Sequence, residues 1–149
     1  MEDWVTMKER ATIVCRQHDK ILLVTRGRSR WSLPGGTILR SELPIEAARR
    51  ELIEETAVIS DGFTFLFEFG GLSKRHHVFL VDLPPDVTPA ANNEISRCRW
   101  IWPRQVTNVV TSVPTREIVR LLISHKNVTM WLSTVEPDGG NVASVQTAD

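Results

Sequence analysis

Three glutamates, Glu51, Glu54 and Glu55, lie close together in a segment whose apolar residues follow helical spacing. Because side chains three and four positions apart are neighbours on a helix, these carboxylates must crowd together. Like charges at that spacing destabilise a helix, and the C-terminal end of a helix also disfavours anions. A divalent cation that prefers oxygen ligands, Mg²⁺ or Mn²⁺, would compensate this charge. The alternative is a solvated acidic face whose partners are Arg49 and Arg50.

A glycine pair before this helix favours the metal-binding interpretation. Glycine permits backbone conformations that let carbonyl oxygens approach a ligand. From Gly36 the chain reads five residues, Glu42, seven residues, Arg50-Glu51-Leu52, one residue, and then Glu54-Glu55. Together with the preceding Trp-Ser-Leu-Pro-Gly-Gly, this spacing resembles the signature box of the Nudix hydrolases over Gly36 to Val58.

The resemblance implies an α/β fold of the Nudix type. This fold is an α/β/α sandwich in which a mixed curved sheet carries the signature helix on one face and a C-terminal helix on the other. The resemblance spans roughly residues 8 to 130. We therefore predict a Nudix hydrolase domain over residues 1–132 and a mobile polar C-terminal tail over residues 133–149.

The resemblance also implies roles for the box residues. The predicted metal ligands are Gly36 (through its carbonyl), Glu51, Glu54, Glu55 and Glu94. Arg50 would hold a glutamate in place through a bidentate pair, and Glu42 would be its partner or a structural residue. Divalent ions neutralise phosphate oxygens and acidify bound water, and a carboxylate then accepts the water proton. Glu51 is the predicted general base and Glu94 the alternative, while the number of metal ions stays open.

Segments outside the box supply further candidates. Arg26, Arg28 and Arg30 are predicted to bind the phosphates of the substrate, and a solvated loop is the alternative. Glu94 follows a polar, proline-bearing loop, where it could equally be an exposed glutamate. Lys74–His77 form a second basic patch, which we interpret as structural and not as a metal site.

Three residues depart from the family pattern. Ala57 replaces the last glycine of the box, where alanine would cost about 1 kcal/mol if the position requires a positive φ. Ser41 stands where glycine is common, and Leu43 stands where a threonine often caps the helix. These departures leave a catalytically weak, nucleotide-binding regulatory module as an alternative to the enzyme.

The hydrophobic pattern predicts the elements that position these residues. One helix begins near Pro44. The strand from Phe63 to Phe69 is expected to present one aromatic face. The other predicted elements are strands at Ala11–Cys15, Ile21–Val24, His77–Val81 and Ser96–Trp102 and a helix at Thr115–His125.

Composition limits the classes of partner. The chain has 149 residues, of which 42% are hydrophobic, as expected for one domain with a core. Eighteen basic and eighteen acidic residues cancel, so long nucleic acid is not an expected partner. The family resemblance implies a small nucleotide as the ligand. No run approaches the roughly 20 apolar residues of a membrane span. Because Cys15 and Cys98 are isolated and no signal-peptide pattern is present, we expect a cytoplasmic location. The expected oligomeric state is a monomer or a homodimer.

These observations predict a Mg²⁺-dependent pyrophosphohydrolase, with Mn²⁺ as the alternative ion. The resemblance implies that its substrate is a nucleoside diphosphate linked to another group, with a nucleoside triphosphate or related nucleotide favoured. In the family, a proline downstream of the box often accompanies cleavage of ADP-ribose, and a tyrosine slightly further on often accompanies cleavage of diadenosine polyphosphates. Here no proline occurs between Pro44 and Pro84, and the chain has no tyrosine. Neither of these two substrate classes is therefore favoured.

Overall fold

The computed structural model describes residues 7–28 and 30–124, which form six strands and two α-helices. The predicted tail over residues 133–149 and the predicted helix end at His125 lie outside the described residues. The elements in chain order are β1 (Lys8–Gln17), β2 (Lys20–Thr25), β3 (Gly35–Thr37), α1 (Pro44–Thr56), β4 (Phe63–Gly70), β5 (Lys74–Asp82), β6 (Arg97–Ile101), a short 3₁₀ helix (Pro103–Asn108) and α2 (Val113–Ser124).

The six strands form one mixed sheet in the order β4-β5-β1-β2-β6, with β3 also paired to β1. β1 and β5 run parallel, and the other pairs are antiparallel. One edge of β1 is shared by two partners, because Arg10–Thr12 pair with β3 and Arg16 and Gln17 pair with β2. β1 is therefore the strand that joins the glycine turn to the rest of the sheet.

The two helices cover opposite faces of this sheet. Alternating side chains of β1 divide between two buried clusters, as the strand period requires. Ile13 packs in the cluster beneath α1 with Leu52, whereas Val14 packs in the cluster beneath α2 with Ile118 and Leu122. The α/β/α sandwich predicted from the sequence is confirmed.

The predicted aromatic face of β4 is wrong. A register irregularity between Phe65 and Phe67 interrupts the pairing of β4 with β5. Because a one-residue shift turns later side chains to the other face, the phenylalanines divide between the two sides of the sheet. Phe63 packs beneath α1, whereas Phe67 and Phe69 pack beneath α2. The alternation in the sequence could not reveal this bulge.

Helix α1 begins without a side-chain cap and ends in a left-handed residue. Leu43 at its N-cap has no capping side chain, and its backbone N–H donates instead to Oε1 of Glu46 over 2.9 Å. At the other end Ala57 has a φ of 62°, and Ser41 before the helix has a φ of 71°. Both residues that replace family glycines therefore adopt the conformation that favours glycine.

Candidate active site

The glycine turn and the glutamate helix meet at Gly36. A β-carbon placed on this residue would overlap Oε2 of Glu51, because the carboxylate lies directly against the glycine backbone. The neighbouring Gly35 has a φ of 153°, and a β-carbon there would overlap the carbonyl oxygen of Ala11 on β1. Gly35 is thus required by the close approach of strand β1, whereas a side chain at position 36 would displace the Glu51 carboxylate.

Glu55 is the most deeply buried of the three glutamates, with 3% of its surface exposed. Its Oε1 accepts a hydrogen bond from the backbone N–H of Gly35 over 3.1 Å, and its Oε2 accepts one from Nη2 of Arg26 over 2.8 Å. Burial raises the pKa of Glu55 to about 7, against the opposing effects of Gly35 and Arg26, and the charge of Glu51 raises it further. The neighbours of Glu55 therefore compensate its negative charge only in part.

Arg50 clamps two glutamates of the box. Its Nε and Nη2 bind the two oxygens of Glu42 over 2.7 and 2.9 Å, and its Nη1 donates to Oε2 of Glu51 over 2.8 Å. Nη2 also donates to the carbonyl of Thr37 on β3 over 3.0 Å. The hydrogen bonds with Glu42 raise the pKa of Arg50 and lower that of Glu42. The Arg50–Glu42 pair thus ties the start of α1 and the glycine turn to Glu51.

Glu54 and Glu94 lie at the exposed rim of the site. Oε1 of Glu54 is 3.5 Å from Nη1 of Arg50, and Oε1 of Glu94 is 3.4 Å from Nε of Arg26. The loop before Glu94 is attached to the end of α1, because Asn93 Nδ2 donates to the carbonyl of Glu54 over 3.0 Å. The structure therefore brings Glu94 near Glu55, with Arg26 between them.

The three predicted phosphate-binding arginines do not occupy equivalent places. Arg26 contacts both Glu55 and Glu94. Arg28 and Arg30 are exposed, and neither forms an ion pair within the described residues. Only Arg26 is thus brought to the glutamates, and substrate contacts by the other two stay predictions.

A recess beside Arg26 contains residues that the sequence did not single out as a site. Its volume is about 260 Å³, and Arg10, Thr12, Lys74, His76 and Ser112 are among its lining residues. Arg10 lies on β1 directly opposite His76 on β5. No local signal marks Arg10, because only the pairing of these two strands brings it to the other groups.

The chemistry of the donors fits a hard divalent cation. The carboxylates of Glu51 and Glu55 meet at the glycine turn, and their charges repel each other. Within residues 7–28 and 30–124 no three histidine, cysteine or acidic side chains form a ready-made cage. Mg²⁺ is commonly held by one or two carboxylates together with water and substrate phosphates, so a closed cage is not required.

A family model described as the NUDIX domain matches residues 6–122. The chain belongs to the Nudix family. It is a hydrolase of phosphorus-containing acid anhydrides, and its family acts on nucleoside diphosphate derivatives. No helix in the part of the chain that the structure describes could cross a membrane.

Solved structures show the same Nudix fold. A protein described as a nudix hydrolase family member from Chromobacterium violaceum is 30% identical with a TM-score of 0.69, covering 80% of this chain and 81% of that one. The MutT NUDIX hydrolase from Burkholderia pseudomallei is 18% identical with a TM-score of 0.67, covering 77% and 97%. The NUDIX domain of Shewanella oneidensis NrtR, complexed with ADP ribose, is 20% identical with a TM-score of 0.66, covering 78% and 86%. No curated protein matches the chain.

Proposed function

We propose that this Nudix hydrolase is a Mg²⁺-dependent pyrophosphohydrolase that cleaves the diphosphate linkage of a nucleoside triphosphate or related nucleotide. Mn²⁺ is the alternative ion. The observation that carries the proposal is the convergence of Glu51 and Glu55 on the Gly35-Gly36 turn. Two carboxylates at one turn, one of them almost fully buried, form an oxygen-rich site suited to a cation and a phosphate ligand.

The proposed ligands come from the turn, the helix and the loop before β6. They are the carbonyl of Gly36 and the carboxylates of Glu51, Glu54, Glu55 and Glu94. A bound divalent ion would neutralise the phosphate oxygens and lower the pKa of its water. Arg26, already in contact with two of these carboxylates, would also bind a substrate phosphate, with Arg28 and Arg30 as further candidates.

Glu51 is the proposed general base. Arg50 binds its Oε2, and no described residue hydrogen-bonds its Oε1, which can therefore accept a proton. The bidentate contact of Arg50 with Glu42 fixes the guanidinium, so Arg50 acts as a positioning residue for Glu51. Glu94 is the alternative base, since it lies on the exposed side of Arg26.

The regulatory-module alternative draws on the family glycines replaced by Ala57 and Ser41. Both residues nevertheless keep a left-handed backbone, with φ values of 62° and 71°. The carboxylate cluster also keeps its contacts with Arg50 and Arg26. The substitutions therefore bear on stability, and the enzyme is the function that the geometry supports better.

The deciding experiment is a panel of nucleoside triphosphates, ADP-ribose and diadenosine polyphosphates with product identification by mass spectrometry. We expect Mg²⁺-dependent release of phosphate or pyrophosphate from at least one triphosphate, abolished by EDTA. Glu51→Gln should remove this turnover, and Glu117→Gln, which changes an acidic residue of α2, should retain it. Nucleotide binding without turnover under Mg²⁺ and Mn²⁺ would favour the regulatory module instead.

We also propose that the protein is a cytoplasmic monomer or homodimer that binds small nucleotides and no membrane. The balanced charge of the chain supports a small ligand over long nucleic acid. Light scattering during size-exclusion chromatography measures the oligomeric state, and a filter-binding assay with a long RNA tests the absence of nucleic-acid affinity.

A further inference from the structure

The recess beside Arg26 is a basic cavity with no acidic residue in its lining. It lies between the sheet and the start of α2 and has a volume of about 260 Å³. Its lining residues are Arg10, Thr12, Arg26, Ser32, Leu33, Lys74, His76, Ser112, Pro114, Thr115 and Ile118. Arg26 belongs both to this lining and to the glutamate cluster, so the recess begins where the proposed diphosphate site ends.

Arg10 is a partly buried cation without a partner. No described residue forms an ion pair or hydrogen bond with its guanidinium, whereas Arg26 and Arg50 each contact two carboxylates or more. Burial lowers the pKa of Arg10, and the charges of Glu55 and Glu51 only partly oppose this effect. An unpaired cation removed from water is costly, so this position suits an anionic ligand.

His76 is a desolvated polar group in the lining of the recess. Only 5% of its surface is exposed, its Nδ1 is 2.8 Å from Oγ1 of Thr12, and its buried Nε2 has no hydrogen-bond partner. Burial, together with the charges of Arg10 and Lys74, lowers the pKa of His76 to about 4. At neutral pH the positive charge of the recess therefore comes from its arginines and Lys74.

The recess has room for a phosphoryl group, because its volume of about 260 Å³ approaches the roughly 300–1,000 Å³ of pockets that enclose drug-sized ligands. The hydroxyl groups of Ser32 and Ser112 supply neutral hydrogen-bond donors beside the cations.

We propose that Arg10 and Lys74 form an anion subsite that receives a phosphoryl group lying beyond the diphosphate linkage that is cleaved. The inference rests on the proposed function, because it takes the glutamate cluster as the place of cleavage. The subsite gives the enzyme a preference for nucleotides with a third phosphate over diphosphates whose second substituent is uncharged. Arg10 is then a specificity-determining residue.

The first test compares two substrates, a nucleoside triphosphate and ADP-ribose, which has only two phosphates. Because a hydrogen bond to a charged group contributes strongly, Arg10→Gln should lower kcat/KM for the triphosphate roughly 10- to 100-fold. Its effect on ADP-ribose should stay below about threefold. Arg104→Gln, which removes an exposed arginine of the 3₁₀ helix, should change neither value. Equal losses on both substrates would overturn the proposed selectivity.

The second test does not depend on turnover. Calorimetry should show binding of inorganic tripolyphosphate to the metal-free protein, weakened at least about tenfold by Arg10→Gln and also by Lys74→Gln. Lys74 is exposed, so its variant keeps the test valid if the Arg10 variant does not fold. Unchanged tripolyphosphate affinity in a folded variant, or none in the parent protein, would disprove the subsite. Arg10-dependent binding without hydrolysis of any nucleotide would instead disprove only the proposed function.

Discussion

The glutamate cluster and the basic recess differ in how their charges are paired. Around α1 the protein supplies its own counter-charges, because Arg50 binds Glu42 and Glu51 and Arg26 binds Glu55. In the recess Arg10 has no such partner among the described residues. The fold therefore positions the glutamate cluster before any ligand binds. In the basic recess, the positive charge of Arg10 is available to pair with a ligand.

Arg26 joins the two regions. Its guanidinium binds Glu55 over 2.8 Å, and the same side chain lines the recess. A ligand that carries both a diphosphate and a further anionic group would therefore meet negative and positive protein groups in sequence. If both proposals hold, the carboxylates determine where cleavage occurs and the unpaired cations determine which substrate is held.

The largest expected effect is on the acidic side. Glu55→Gln keeps the shape of the side chain but removes a charge from the proposed metal site, so kcat should fall by at least about 10³-fold. Because burial already disfavours the charged carboxylate, the melting temperature should not decrease. Glu117→Gln is the matched control. Normal turnover by the Glu55 variant would show that the cluster is not the place of cleavage.

The next largest effect concerns the basic recess and is measured as the dependence of the free energy of unfolding on pH. The pKa of His76 is about 4 in the folded protein and about 6.5 in an unfolded chain, so the unfolded state binds more protons between these values. The contribution of His76 to stability should therefore be complete above pH 6.5 and fall by up to about 3 kcal/mol as the pH approaches 4. Glu55, whose pKa is about 7 in the folded protein, contributes in the opposite direction over the same range. The groups that act on the His76 ring are Arg10, Lys74 and His77.

Urea unfolding across this pH range checks the prediction. His76→Gln should remove the contribution of His76, because its amide does not titrate, so the free energy of unfolding of the variant should rise relative to that of the parent protein as the pH falls from 6.5 to 4. His18→Asn, at an exposed turn position, should leave the dependence unchanged. Parallel curves for the His76 variant and the parent protein would contradict the low pKa.

A smaller effect tests whether the ion pairs of Arg50 position the glutamate cluster. Arg50→Met removes the contacts with Glu42 and Glu51. Loss of a residue that orients metal ligands typically lowers metal affinity 10- to 100-fold, so we expect the affinity for Mn²⁺ to fall by about this factor. Titration of Mn²⁺ by electron paramagnetic resonance measures the affinity directly. Arg49→Met is the control, since Arg49 lies next to Arg50 but pairs loosely with exposed Asp61. Equal Mn²⁺ affinity in the two variants would refute the clamp.

The smallest effect concerns the end of the helix that carries the glutamates. Ala57 has a left-handed backbone, so Ala57→Gly should relieve strain and raise the free energy of unfolding by about 0.5–1 kcal/mol after the entropy of glycine is subtracted. Chemical denaturation is the measurement. Ala91→Gly, at an exposed loop position whose own φ is not positive, should give no gain. A decrease for the Ala57 variant would show that this conformation carries no strain.

The parts that were predictable from sequence depend on short-range geometry. Helical spacing sufficed to bring Glu51 and Glu55 together, and a glycine at position 36 has a local steric reason. Short apolar runs predicted most of the strands, and their placement between two helices followed the family resemblance. The strand ends differ by a few residues, because hydrogen bonding extends β1 and β5 beyond their apolar runs.

The recess could not be predicted, because it depends on which strands pair. Arg10 and His76 are adjacent only through the parallel pairing of β1 with β5. The prediction of one aromatic face on β4 failed for a related reason, since the bulge after Phe65 is a property of the paired strands. Among the loop arginines, the sequence offered no means to distinguish Arg26 from Arg28, because loop conformation selects the one that reaches Glu55.

The two partners of β1 also have a consequence for the order of folding. Arg10 pairs with Thr37 across 27 positions of the chain, but with His76 across 66 positions. Because the entropy of closing a loop increases with its length, the hairpin-like contact with β3 can form at lower cost than the contact with β5. We therefore expect the glycine turn to dock on β1 earlier in folding than β5 does. The chain would then acquire its site of cleavage before its means of choosing a substrate.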